Sequence, residues 1–157
     1  MYLLSRSHLQ FRPLSQLPRI PLPNRFHFPI HDSDTDGGTR TASINGAFVA
    51  LVDALNSVAL QLPCPISEIL TDSLAAVSVG VVGGEIRLDL EYVEDRDADV
   101  DFNVVMTGSE KFIEVQGTGE EATFTRAELD ALVDSAAVGI AAINRGQKAA
   151  LAESWPR

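Results

Sequence analysis

The chain has 157 residues, 45% of them hydrophobic, and a formal net charge of −10. That length supports one domain with a core, and the composition excludes a disordered or fibrous chain. No apolar run is long enough to span a bilayer, so no membrane contact is expected. The single cysteine, Cys64, has no intramolecular disulfide partner, which favours a reducing, cytoplasmic setting.

The charge is unevenly spread. Four of the twelve Lys and Arg (Arg6, Arg12, Arg19 and Arg25) lie in the first thirty residues, which hold no Asp or Glu; the remainder sets eight cations against 22 carboxylates, about −14. So acidic a body argues against nonspecific binding of a phosphate backbone by this chain alone. Any work on nucleic acid needs a local site, a metal or a basic partner.

Residues 1–34 read as an irregular arm, with Pro13, Pro18, Pro21, Pro23 and Pro29 and no persistent apolar period. An acid-free start with Arg and Ser fits an organellar transit peptide, but this proline density breaks the amphipathic helix such peptides form. A plain arm or a non-native start is the better expectation. His8, His27 and His31 all fall in or beside it, which removes a His-based nucleophile from the ordered body.

The segment "DSDTDGGTRTAS", Asp32 to Ser43, offers two readings. Asp32, Asp34, Asp36 and Gly37 match the opening of an EF-hand calcium loop, but the bidentate Glu required at its end is replaced by Ser43. In the alternative, Gly37 and Gly38 let the backbone approach an anion. The first amides of a helix starting near Ile44 point at it, while Thr39 and Arg40 add a hydroxyl and a guanidinium fork. The bland counterpart is a simple N-cap by Asp36 or Thr39 with Arg40 solvated. Spacing alone leaves these last two open.

Ile44, Phe48, Leu51, Val52, Leu55 and Val58 form a helical stripe that Pro63 and Pro65 end. "PISEILTDS" then reads as a linker with a helical turn. "LAAVSVGVV" is β-branched and bounded by the turn signal Gly83-Gly84. Ile86, Leu88, Leu90 and Tyr92 alternate with charged residues, as in a strand with one buried face. "VDFNVVMT" and "FIEVQGT" pair around "GSEK". A capping box of Thr125 and Glu128 opens the last helix, whose buried stripe is Leu129, Leu132, Val133, Ala136, Ile140 and Ile143. The expected architecture is α+β: a four-stranded, mainly antiparallel sheet with two long helices on one face.

The run "LEYVEDRDADVDF" sets Glu91, Glu94, Asp95, Asp97, Asp99 and Asp101 against Arg96. A solvated acidic turn is the ordinary reading. The sharper one has Asp95 closing a loop and Asp101 opening a strand, so that the two carboxylates meet. Such a pair holds Mg²⁺, or one member acquires a raised pKa and donates a proton. Trp155, near the chain end, reads as a docking contact rather than a platform for a base.

"DGGTRTASINGAFVALVDAL", "AAVSVGVVGGEIRLDLEYVEDRDADVDFNVVMTGSEKFIEVQGTGEE" and "FTRAELDALVDSA" together closely resemble the C-terminal half of the ribonuclease PH family, phosphate-dependent exoribonucleases related to core subunits of the exosome. The resemblance implies a half-domain over 35–153, with 154–157 a tail. It implies phosphorolysis at RNA 3′ ends, releasing nucleoside 5′-diphosphates from tRNA precursors and ribosomal RNA, in a hexameric ring. It places inorganic phosphate on Gly38, Thr39 and Arg40. It makes Asp95 and Asp101 the paired active-site aspartates, Mg²⁺ ligand and general acid. Family members carry another half that nothing here matches, and they lack the motif "FHFPIHDSDTDGG". The opening thirty residues therefore read as a shifted frame or misassigned start, which makes Asp32 and Asp34 accidents. Two expectations follow: a ribonuclease PH polypeptide whose activity alone is left open, or a non-catalytic subunit of an exosome-type ring.

Overall fold

The computed structural model describes residues 37–152 and Trp155. The calcium-loop residues Asp32 to Asp36, the arm and most of the tail lie outside the described residues.

Four strands form one antiparallel sheet in the order β2-β1-β3-β4. Strand β1 (Leu74–Val82) is a β-branched run buried along nearly its whole length, as a central strand requires. Gly83 and Gly84, at φ 60° and 80°, turn it into β2 (Glu85–Leu88). Strand β3 (Val100–Thr107) lies on the other side of β1, and β4 (Phe112–Gly119) follows a turn in which Glu110 takes φ 63°. Asp101 stands opposite Gly80 on β1 and Thr118 on β4; Asn103 stands opposite Ser78 and Gln116; Val105 stands opposite Ala76 and Glu114. Residues directly opposite share a face. One face therefore carries Asp101, Asn103, Thr118, Gln116 and Glu114.

The other face is the main core. Val77, Val79, Val100, Phe102, Val104 and Met106 pack against Leu132, Ala136 and Ile140 of α4 (Arg126–Leu151). Phe102 meets Phe124 edge-on at 5.0 Å, and α4 begins with the expected capping box of Thr125 and Glu128. A second cluster joins Phe48 and Val52 of α1 (Gly37–Ser57) to Leu70 and Leu151. A 3-10 turn (Ala59–Gln61) and one helical turn, α2 (Ile66–Ile69), fill the linker. The Asn45 side chain of α1 both donates to the Ala76 carbonyl and accepts from the Ala76 amide, each at 2.8 Å. It thus completes β1 where the short β2 does not reach.

The α+β class and the antiparallel sheet are as expected; three details differ. The long helices divide between the faces: α4 covers the Val77 face, while the first turn of α1 reaches Glu114 and Gln116 on the opposite one. A helical stripe alone does not say which face of the sheet it covers, but the register shows that α1 and α4 contact residues of opposite parity. Helix α1 also begins at Gly37, not near Ile44, because glycine costs little in a first turn whose amides need no acceptor one turn back. Finally, β2 ends at Leu88. Asp89 adopts φ 60° and its amide donates to Ser78, after which Leu90 turns inward and Tyr92 opens a short helix, α3 (Tyr92–Arg96).

Candidate active site

The acidic run is folded by its own side chains. Glu91 and Glu94 form a reciprocal capping box that winds α3, so Asp95 sits on a helix rather than in the expected loop. The Leu90 amide donates to Ser78 Oγ at 3.0 Å and the Asp99 amide to the Val81 carbonyl at 2.8 Å, which fastens both ends of the run to β1. This returns Asp95 to the neighbourhood of Asp101, the second residue of β3.

Asp101 is the most perturbed carboxyl described. Burial, then repulsion from Asp95 and Glu120, pushes its pKa up from 3.8 to about 6, against a smaller opposing effect of the Phe102 amide. Its Oδ1 is buried without a hydrogen-bond partner. A carboxylate oxygen left so is costly unless a proton or a cation joins it. Among the described residues no group of three or more His, Cys, Asp or Glu could enclose a metal. A pair of carboxylates with one orphaned oxygen nevertheless fits Mg²⁺, which keeps several waters and commonly takes one or two protein carboxylates alongside substrate phosphates.

Gly38, Thr39 and Arg40 occupy the first turn of α1, where the helix dipole is positive and the leading amides have no intrahelical acceptor. Two hydroxyls tighten this turn: Thr41 donates to the Gly38 carbonyl at 3.1 Å, and Ser43 to the Thr39 carbonyl at 2.7 Å. Arg40 is not simply solvated. Its Nη2 lies 2.7 Å from Glu114 Oε1 and its Nη1 donates to Gln116 Oε1 at 3.3 Å. Both β4 partners were missed at the level of sequence. The period of "FIEVQGT" does put Glu114, Gln116 and Thr118 on one face, but nothing local ties that face to a residue more than seventy positions earlier.

The structure thus brings Asp95 to Asp101 and anchors Arg40 on the strand beside Asp101. Gln116, which holds Arg40, faces Asn103, and Asp101 lies two residues farther along β3, about 7 Å in strand rise. Asn103 is itself buried with an unpartnered Oδ1. Paired carboxylates, an Arg fork and a helix start on one face of a small sheet form an arrangement suited to a phosphoryl group and a cation.

Residues 72–139 match the family described as 3′ exoribonuclease family, domain 2. The chain is also similar to curated proteins named Ribonuclease PH. The chain is 54% identical over 123 residues to the Ribonuclease PH of Saccharopolyspora erythraea, covering 77% of this chain and 48% of that protein. It is 55% identical over 116 residues to that of Corynebacterium glutamicum, covering 74% and 47%. For Rhodopirellula baltica the figures are 52% over 120 residues, 74% and 49%. The chain therefore spans about half the length of the curated relatives it matches. The crystal structure of rice (Oryza sativa) Rrp46 shares the fold, with a TM-score of 0.55 at 21% identity over 76% of this chain and 49% of that one. No helix among the described residues is long and apolar enough to cross a membrane.

Proposed function

We propose that this chain works in phosphate-dependent 3′→5′ exoribonuclease chemistry of the ribonuclease PH type. The observation that carries the reading is the Asp95–Asp101 pair, with its orphaned oxygen, on the sheet face to which Arg40 is anchored. The relatives' name supports the same class.

In this reading inorganic phosphate docks at the α1 start, on Gly38, Thr39 and Arg40. An oxygen of that phosphate attacks the phosphorus of the terminal RNA phosphodiester. The bond from phosphorus to the preceding 3′ oxygen breaks, leaving an RNA one residue shorter and a nucleoside 5′-diphosphate. Arg40 and the helix amides offset the charge of the incoming phosphate. The departing 3′ oxygen needs a proton, and Asp101, its pKa pushed up to about 6, can donate one. Asp95 and Asp101 would hold Mg²⁺, which when bound neutralises charge between carboxylates and RNA phosphates. The substrate class is the 3′ end of tRNA precursors and ribosomal RNA in the cytoplasm, and the assembly a hexameric ring.

The test is a tRNA precursor incubated with the chain, with and without phosphate, scored for nucleoside diphosphate, then repeated with Arg40→Ala. Phosphate-dependent release abolished by the substitution supports the reading; equal release by the two proteins removes Arg40 from it. The apolar side chains that β4 leaves exposed, Phe112 and Val115, support a second reading, a non-catalytic ring subunit. No diphosphate from the chain, together with its incorporation into a larger assembly on a sizing column, selects that alternative.

A further inference from the structure

A cavity of about 370 Å³ opens at the other end of the sheet, where α2 leads into β1 and the β3–β4 turn meets the last turns of α4. Asn144, Arg145 and Lys148 line it from α4, Thr71 and Ser73 from the α2–β1 connection, and Trp155 from the chain end. The strand rise from Asp101 to Thr107 puts it about 20 Å from the carboxylate pair, so it is a separate site.

Of the five other cations among the described residues, Arg40, Arg87, Arg96 and Arg126 are each paired with a carboxylate, and Lys111 is in none of these pairs. Arg145 and Lys148 take part in none of the ion pairs among the described residues, although the body is strongly acidic, and they line one cavity three residues apart on one helix. Asp72 also lines it, but its oxygens are taken by the Ser73 amide, the Ser109 amide and the Ser109 hydroxyl. The lining retains a net positive charge. Asn144 Oδ1 is buried there without a partner, an acceptor awaiting a donor. The Trp155 ring is braced edge-on against Phe48, 6.0 Å between centroids.

Two cations for a phosphoryl group, an acceptor and hydroxyls for ribose or a base edge, and a braced aromatic ring amount to the parts of a nucleotide site. The volume falls in the range of small-ligand cavities. We propose that this cavity binds a nucleoside 5′-phosphate, either free or as one residue of a single strand. The assignment stands independently of the phosphorolytic reading.

Trp155 is the only tryptophan of the chain, so its emission reports the cavity directly. The intact chain is titrated with ADP, adenosine, inorganic phosphate and a short oligoadenylate. ADP should change Trp155 emission and bind at least about tenfold more tightly than adenosine or phosphate alone, and the Arg145→Ala/Lys148→Ala double variant should lose about tenfold of that affinity. Both side chains are exposed, so the variant should keep the wild-type circular dichroism. ADP is also a product of the reaction proposed at the α1 site, and the emission of Trp155, which lines this cavity, separates the two sites. Tighter binding of oligoadenylate than of ADP assigns the ligand to a strand; equal or weaker binding assigns it to the free nucleotide. Phosphate binding as tightly as ADP, undiminished ADP binding by the double variant, or no response to ADP and oligoadenylate overturns the proposal.

Discussion

Replacing Asp101 by Asn tests the electrostatics of the candidate site without requiring turnover. A carboxyl whose folded pKa is raised binds its proton more tightly in the folded chain than in the unfolded one. Its contribution to stability is therefore complete below the unfolded value and is lost as pH rises through the folded value. For Asp101 that window runs from 3.8 to about 6. The shift spans about two pH units, and at about 1.4 kcal/mol per unit it corresponds to at most about 3 kcal/mol. Asp101 is only partly buried, so solvent screening brings the expected effect down to about 1 kcal/mol. Asp101→Asn should therefore unfold about 1 kcal/mol later than wild type at about pH 7, with the gap closing below about pH 4. Urea unfolding of both proteins across that range, with a chelator present, makes the measurement. Parallel pH curves, or a variant less stable than wild type at neutral pH, would refute the assigned environment.

Other substitutions probe how the site is held. Asn45→Ala leaves the Ala76 amide and carbonyl without their side-chain partners and should cost about 2 kcal/mol or more, read as a lower urea midpoint at an unchanged m-value. Gly117→Ala places a Cβ inside the Phe102 ring, which Phe124 prevents from retreating, and should cost about 1–3 kcal/mol in the same assay. Glu114→Gln breaks a pair in which both side chains are partly exposed; thermal unfolding should register about 1 kcal/mol or less, leaving any larger effect on phosphate affinity attributable to Arg40 alone.

Features written locally were legible. The Gly83-Gly84 turn, the period of β1 and the Thr125–Glu128 box each need only a few neighbouring residues, and each appears where the sequence puts it. The start of α1 was harder, since two glycines signal a loop by propensity and only the surrounding structure recruits them into a helix. Helix α3 left a usable trace, a Glu three residues after Glu91, which the density of negative charge obscured. The apolar period of β2 was overextended because Asp89 leaves the strand through a left-handed conformation that a sequence period does not encode. In the candidate site, the closeness of Asp95 and Asp101 follows from six residues of separation. The tether of Arg40 to Glu114 and Gln116 depends on how α1 crosses the sheet, and that is a property of the packed whole.

The two margins of the sheet are not equivalent. On one side, β2 guards the far half of β1 and the Asn45 amide plugs the near half, so a visiting strand finds only four residues of backbone to zip onto. The opposite margin, β4, runs for eight residues with Phe112 and Val115 turned to solvent. Any growth by strand addition is thereby steered to β4, and an arriving strand would lie alongside the Arg40 tether, coupling self-association to the occupancy of that guanidinium.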